Sequence, residues 1–225
     1  MSEDFYPKLL EATAPARARL QGLPVVLDAL QGRISLAEYQ HFLRCAYHHV
    51  RHTVPLLMAC GASLPERLQW LRPAIAEYIE EEIGHEAWIA DDLAASGADQ
   101  AALLALPLPQ PVELMLAYVY DRIARHNPVS FFGMVLVLEG TSIALATRAA
   151  QALQQSLNLP KRAFRYLLSH GELDQSHMGF YEGLMNRLDC AEDRAAVIHA
   201  ANMIYPLYGA VLADARMPVD VARAA

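Results

Sequence analysis

The chain has 225 residues, 54% hydrophobic and 19% charged, which suits one domain with enough interior to bury a site and is too apolar for a disordered chain. Its formal charge of −7 argues against a general nucleic-acid binder, which carries a basic stripe. Three widely spaced cysteines, Cys45, Cys60 and Cys190, fit neither a disulfide framework nor a paired-cysteine zinc site. Cys45 and Cys60 stand in apolar helical surroundings and read as buried thiols. The acidic start lacks the basic-then-apolar plan of a signal peptide, so cytoplasm is the expected location.

A period of 3.6 dominates throughout, with no alternation of period two, and predicts an all-α bundle: one helical domain over residues 1–217 and a flexible tail, 218–225. The first helix is expected at 4–20, interrupted near Pro15, and the second at 24–31, stopped by Gly32. Ser35 with Glu38 reads as a capping box. It opens a long helix to about Cys60, ended by Gly61, kinked at Pro55, and carrying His41, His48, His49 and His52. Pro65 starts a stretch that runs to Ser96 with Pro73 inside it, and Gly97 caps it. A short helix at 100–106 leads into the stiff segment 107–111. Helices then follow at 112–126, 128–157, 160–189 and 191–216. From Pro128 to Thr147 the sole ionisable side chain is Glu139, and the stretch is long enough to span a bilayer. Its Gly, Ser and Thr content and an N-terminal side with no basic flank beyond Arg125 favour a buried helix at the centre of a bundle, with no membrane partner.

Three clusters could carry chemistry. His170, Asp174 and His177 lie within roughly 60° of one another at about 100° per residue, aiming two imidazoles and a carboxylate into one volume, a ligand mixture suited to a transition metal. Glu81 and His85 are four apart and Glu82 and His85 three apart, so either pair can share one helix face. Glu139 is a lone carboxylate in an apolar helix, where burial demands a cationic partner, either a metal or a basic side chain from another helix. Bundles assemble di-iron or di-manganese sites from inward carboxylates and histidines on facing helices, and oxygen and nitrogen ligands without thiolate favour Fe or Mn over structural zinc. Ferritin-like sites use two Glu-x-x-His motifs; here Glu82–His85 is one, and the second half of the chain offers His-x-x-x-Asp-x-x-His instead.

The order Glu82/His85, then Glu139, then His170, Asp174 and His177 resembles the haem-oxygenase-like diiron oxidases and oxygenases, over roughly residues 35–215. The TenA-, PqqC- and CADD-like proteins share that fold, TenA and PqqC needing no metal. The resemblance implies a pair of irons, with Mn as an alternative, that activates O2 as co-substrate to oxidise a small organic molecule. It implies Glu82 or Glu81, His85, Glu139, His170, Asp174 and His177 as the metal ligands. Some members place a glutamate seven residues before the first histidine; this chain has Tyr78 there. Others add a glutamate from the preceding long helix, where this chain offers His48, His49 and His52 as substitutes.

Tyr47, Tyr118, Tyr120, Tyr166, Tyr181, Tyr205 and Tyr208 are candidate pocket phenols, and the apolar face around Phe131, Phe132 and Met134 suits a lipid-like or aromatic substrate. Three rival readings compete. One is a metal-independent TenA/PqqC-like enzyme acting on a heterocycle by acid–base chemistry. Another is a haem-binding protein with His41 or His48 on the iron. The third is a non-enzymatic metal-binding bundle. A homodimer is the expected assembly.

Overall fold

The computed structural model describes residues 4–217, and within 172–176 the helical backbone but not the side chains; the predicted tail at 218–225 lies outside the described residues. Among them are eleven α-helices and no strand. In chain order they are α1 (Phe5–Gln21), α2 (Pro24–Leu30), α3 (Leu36–Val50), α4 (Thr53–Ser63), α5 (Arg72–Glu82), α6 (His85–Ala95), α7 (Gln100–Ala105), α8 (Gln110–Arg125), α9 (Phe131–Leu157), α10 (Arg165–Arg187) and α11 (Ala191–Asp214). Tighter 3₁₀ turns at Glu66–Leu71, Pro128–Ser130 and Lys161–Phe164 link some of them.

The predicted capping box forms. Ser35 Oγ accepts from the Glu38 amide at 3.3 Å, and the Glu38 carboxylate accepts from the Ser35 amide at 2.7 Å. The expected long helix after it breaks at Arg51–His52, not at Pro55. Pro55 becomes the third residue of α4, inside the first turn, where its missing N–H has no intrahelical partner to lose. Gly61 does not end that helix, which continues to Ser63. Pro15 stays within α1 on its exposed face, where water can satisfy the carbonyl of Glu11.

The stretch expected at 65–96 divides into a 3₁₀ turn, α5 and α6. Pro73 takes the second position of α5, and the break between α5 and α6 falls at Ile83–Gly84. Gly84 has φ 90°, a left-handed conformation that glycine adopts without the Cβ clash of other residues. The turn separates Glu82 from His85.

Helix α9 is the axis of the molecule and lies against α10, α11 and α2. Two glycines allow the closest approaches. A Cβ on Gly133 would stand 2.6 Å from the Ala201 amide of α11, and one on Gly171 of α10 would stand 2.3 Å from Thr147 Oγ1 of α9. The apolar windows of α9 and α11 are long enough to cross a membrane, and half or more of each is buried inside the fold. Tyr39 of α3 donates from its hydroxyl to the Ala163 carbonyl at 2.6 Å, tying α3 to the turn that starts α10.

Candidate metal centre

Asp92 of α6 has no exposed surface and accepts the backbone N–H groups of Arg165 (3.0 Å) and Tyr166 (2.9 Å). These are orphan donors of α10's first turn, so a side chain from α6 caps α10. Burial lifts the Asp92 carboxyl to about 6 against the opposing pull of those two bonds. The cap holds α10 in register with α6, and so sets His170 against His85, whose rings meet edge-on with centroids 4.9 Å apart.

His170 Nδ1 stands 3.0 Å from the Tyr166 carbonyl. A carbonyl only accepts, so Nδ1 carries the proton and Nε2 presents its lone pair. Burial holds His170 below the ordinary imidazole range, which keeps it neutral. Trp88 packs against His85 with ring centroids 4.0 Å apart, and Tyr166 packs at a tilt against His170 at 4.7 Å, which fixes both rings.

Across the Gly84 turn, His85 Nδ1 meets Glu82 Oε2 at 3.1 Å. The pair expected on one continuous helix face is thus formed by the last residue of α5 and the first of α6. Burial works to raise the Glu82 carboxyl, but the His85 bond and the neighbouring imidazoles outweigh it and hold the group below its usual value. One ligand atom from each of Glu82, His85 and His170 lies within 4.8 Å of the others.

Beside this trio is a second group. His177 Nε2 stands 3.0 Å from Glu81 Oε2, and its Nδ1 stands 3.8 Å from Glu139 Oε1. Glu139 is 12% exposed, as the apolar sequence around it suggests, while Glu81 is 44% exposed. Tyr78, buried, presents its ring edge-on to His177 at 6.1 Å and so forms a wall of the site. The side chain of Asp174 lies outside the described residues.

The three histidines expected as substitutes separate. His49 lines a cavity shared with Glu82, Glu139 and His170; His48 does not, and His52 Nδ1 pairs with the Tyr120 hydroxyl of α8 at 3.0 Å. The break at Arg51–His52 turns His52 away from that cavity. Of the candidate phenols, Tyr166 and Tyr208 line the cavity, whereas Tyr181 donates to the Phe132 carbonyl within the core. Phe131 and Met134 also line it, but Phe132 is core. The role of Asp92 escaped the sequence because its partners are backbone amides more than seventy residues away.

The donor set fits iron. It offers nitrogen and oxygen only, and it gathers three carboxylates with three imidazoles in a largely buried place, where divalent cations would balance the charge. Cys45 and Cys60 lie elsewhere, buried, with their thiols pushed up to about 12. Those two are inert rather than nucleophilic.

Helices in this order and packing make the haem-oxygenase-like fold. The chain belongs to the family described as "Iron-containing redox enzyme", whose sequence pattern matches residues 40–209. Solved structures share the fold. A domain of unknown function with a heme oxygenase-like fold from Shewanella denitrificans superposes with TM-score 0.83 at 21% identity, covering 96% of this chain and 93% of that one. A TenA homolog from Pseudomonas syringae gives 0.75 at 13%, covering 94% and 92%. Heme oxygenase-1 from the cyanobacterium Synechocystis, in complex with heme, gives 0.72 at 13%, covering 95% and 93%. No curated protein matches the chain.

Proposed function

We propose that the chain is an O2-dependent oxidase or oxygenase of a small organic substrate, with a pair of irons held by Glu82, His85, Glu139, His170 and His177, and with Glu81 and Asp174 completing the set. The observation that carries this reading is the pairing of two histidine–carboxylate groups, Glu82/His85/His170 and Glu81/Glu139/His177, of which Glu82, His170 and Glu139 line one cavity. Ferrous iron held by these residues would supply the electrons for the reduction of O2. The chain's own residues do the rest. The Tyr166 carbonyl holds the proton on His170 Nδ1 and leaves Nε2 as the ligand atom. Trp88 and Tyr78 wall His85 and His177 from water, and the apolar cavity orients the substrate.

The buried thiols of Cys45 and Cys60, held protonated, speak against a TenA-type reaction through either of them. The test is anaerobic loading with Fe(II), metal analysis, and optical spectra before and after O2. About two irons per chain are expected, as in carboxylate-bridged bundle sites, with a transient visible absorption after O2. In His170→Ala and His177→Ala the iron content should fall while the helical signal by circular dichroism is kept. Iron uptake that is absent, or equal in the variants, overturns the reading, and a Soret band on adding haem replaces it with a haem site.

A further inference from the structure

The cavity that begins at Glu82, Glu139 and His170 continues past them. One wall is a stripe along α9, Val135, Leu138, Ser142, Leu145, Ala149 and Leu153, spaced three or four residues apart on one helix face. From Glu139 to Leu153 that stripe covers about 21 Å of helix axis at about 1.5 Å per residue. The facing walls are as apolar: Val26 and Leu30 of α2, Phe42 of α3, and Leu212 of α11. A volume of about 180 Å³ drawn out over such a length is narrow, fitting a chain better than a fused ring system. Small residues on α9, Ala146 and Ala149, leave the room.

The polar atoms of the wall point to the orientation of what lies inside. His49 Nδ1 and Ser142 Oγ are buried without a hydrogen-bond partner, and both residues line the cavity. Ser142 follows Glu139 by three residues, less than one turn, and His49 lines the same cavity as His170. Buried donors left unmade are costly, and an oxygen atom of a ligand would satisfy them. At the other end Glu38 is already engaged by the Ser35 amide and by Arg216 at 3.1 Å, and needs nothing from a ligand.

We infer that the cavity binds a single-chain amphiphile, its oxygen-bearing head beside His49, Ser142 and the metal centre and its unbranched aliphatic tail along α9 toward Leu153. As the reacting substrate, this ligand rests on the oxidase reading above; as a bound molecule, it does not. The test therefore uses metal-free protein, titrated by calorimetry with straight-chain alkanoates of increasing length. Each added methylene is expected to tighten binding about fourfold until the cavity is full, the equivalent of about 0.8 kcal/mol.

Ala149→Trp should end that gain at a shorter chain and leave the shortest members unaffected, and Ala149→Leu should do so more mildly if the larger residue disturbs folding. Ser142→Ala should weaken every member by a similar factor without changing the dependence on length. Affinity that is flat with chain length, aromatic acids that bind as tightly at equal carbon number, or a folded Ala149→Leu variant with an unchanged series each overturn the inference. A protein that shows the length dependence but takes up no iron refutes the oxidase reading alone, and one that loads iron without it refutes the amphiphile alone.

Discussion

Replacing Asp92 by alanine tests how the two helices that carry His85 and His170 are held in register. The carboxylate accepts two backbone amides at the start of α10, at 3.0 and 2.9 Å. Its loss leaves both donors buried, at a cost of about 1–3 kcal/mol each when no water replaces it. An opposing effect reduces the net loss at neutral pH. Burial raises the Asp92 carboxyl from 3.8 to about 6. In full that difference is about 3 kcal/mol, and relaxation of the surrounding protein around the charged carboxylate reduces it to about 1–2 kcal/mol.

The folded state therefore holds a proton that the unfolded state has released between about pH 4 and pH 6, and this contribution to stability is lost as pH rises through about 6. Urea unfolding of wild type and Asp92→Ala, followed by circular dichroism at a series of pH values, isolates the effect, because the other carboxylates cancel in the difference. The expected destabilisation is about 3–4 kcal/mol near pH 4.5, shrinking to about 2 kcal/mol near pH 7.5. His170 sits one turn beyond Tyr166, so iron affinity should fall about tenfold, the effect usual for groups that support a metal ligand. A stability gap that widens with rising pH would show that the two amide bonds outweigh burial; no gap at any pH would refute the cap itself.

Gly171→Ala should destabilise by about 1–3 kcal/mol, since the added Cβ meets Thr147 Oγ1 at 2.3 Å. Adding Thr147→Ala removes that oxygen and should recover much of the loss in urea unfolding, and a double variant no better than Gly171→Ala would place the crowding elsewhere. In native protein a disulfide-exchange reagent should modify Cys190, which is half-buried, well before Cys45 and Cys60, whose thiols are buried and protonated. Simultaneous reaction of all three would contradict the packing around α3 and α4.

Two helix breaks show how far local chemistry reaches. Pro55 and Gly61 are residues that interrupt helices, yet α4 accommodates both, because the proline falls in its first turn. The break comes instead at Arg51–His52, where no glycine or proline stands. It separates His49, at the cavity, from His52, bonded to Tyr120. Glu82 and His85 meet as their spacing suggests, but across a turn that Gly84 makes possible and not along one helix face.

The sequence by itself determined the all-helical class, the capping box at Ser35, and the residue types of the candidate centre, because helical period, capping and ligand chemistry are written in neighbours a few positions apart. Glu139 announced itself in the same way, as one carboxylate in a run of apolar residues. Only the tertiary structure decided that Glu82, His85 and His170 come within one small volume, that His177 stands between Glu81 and Glu139, and that Asp92 caps a helix more than seventy residues away. It also decided that the stripe along α9 faces a narrow cavity and not solid core. Those outcomes depend on how closely helices cross and where they turn, and the contacts that set both join residues far apart in the chain.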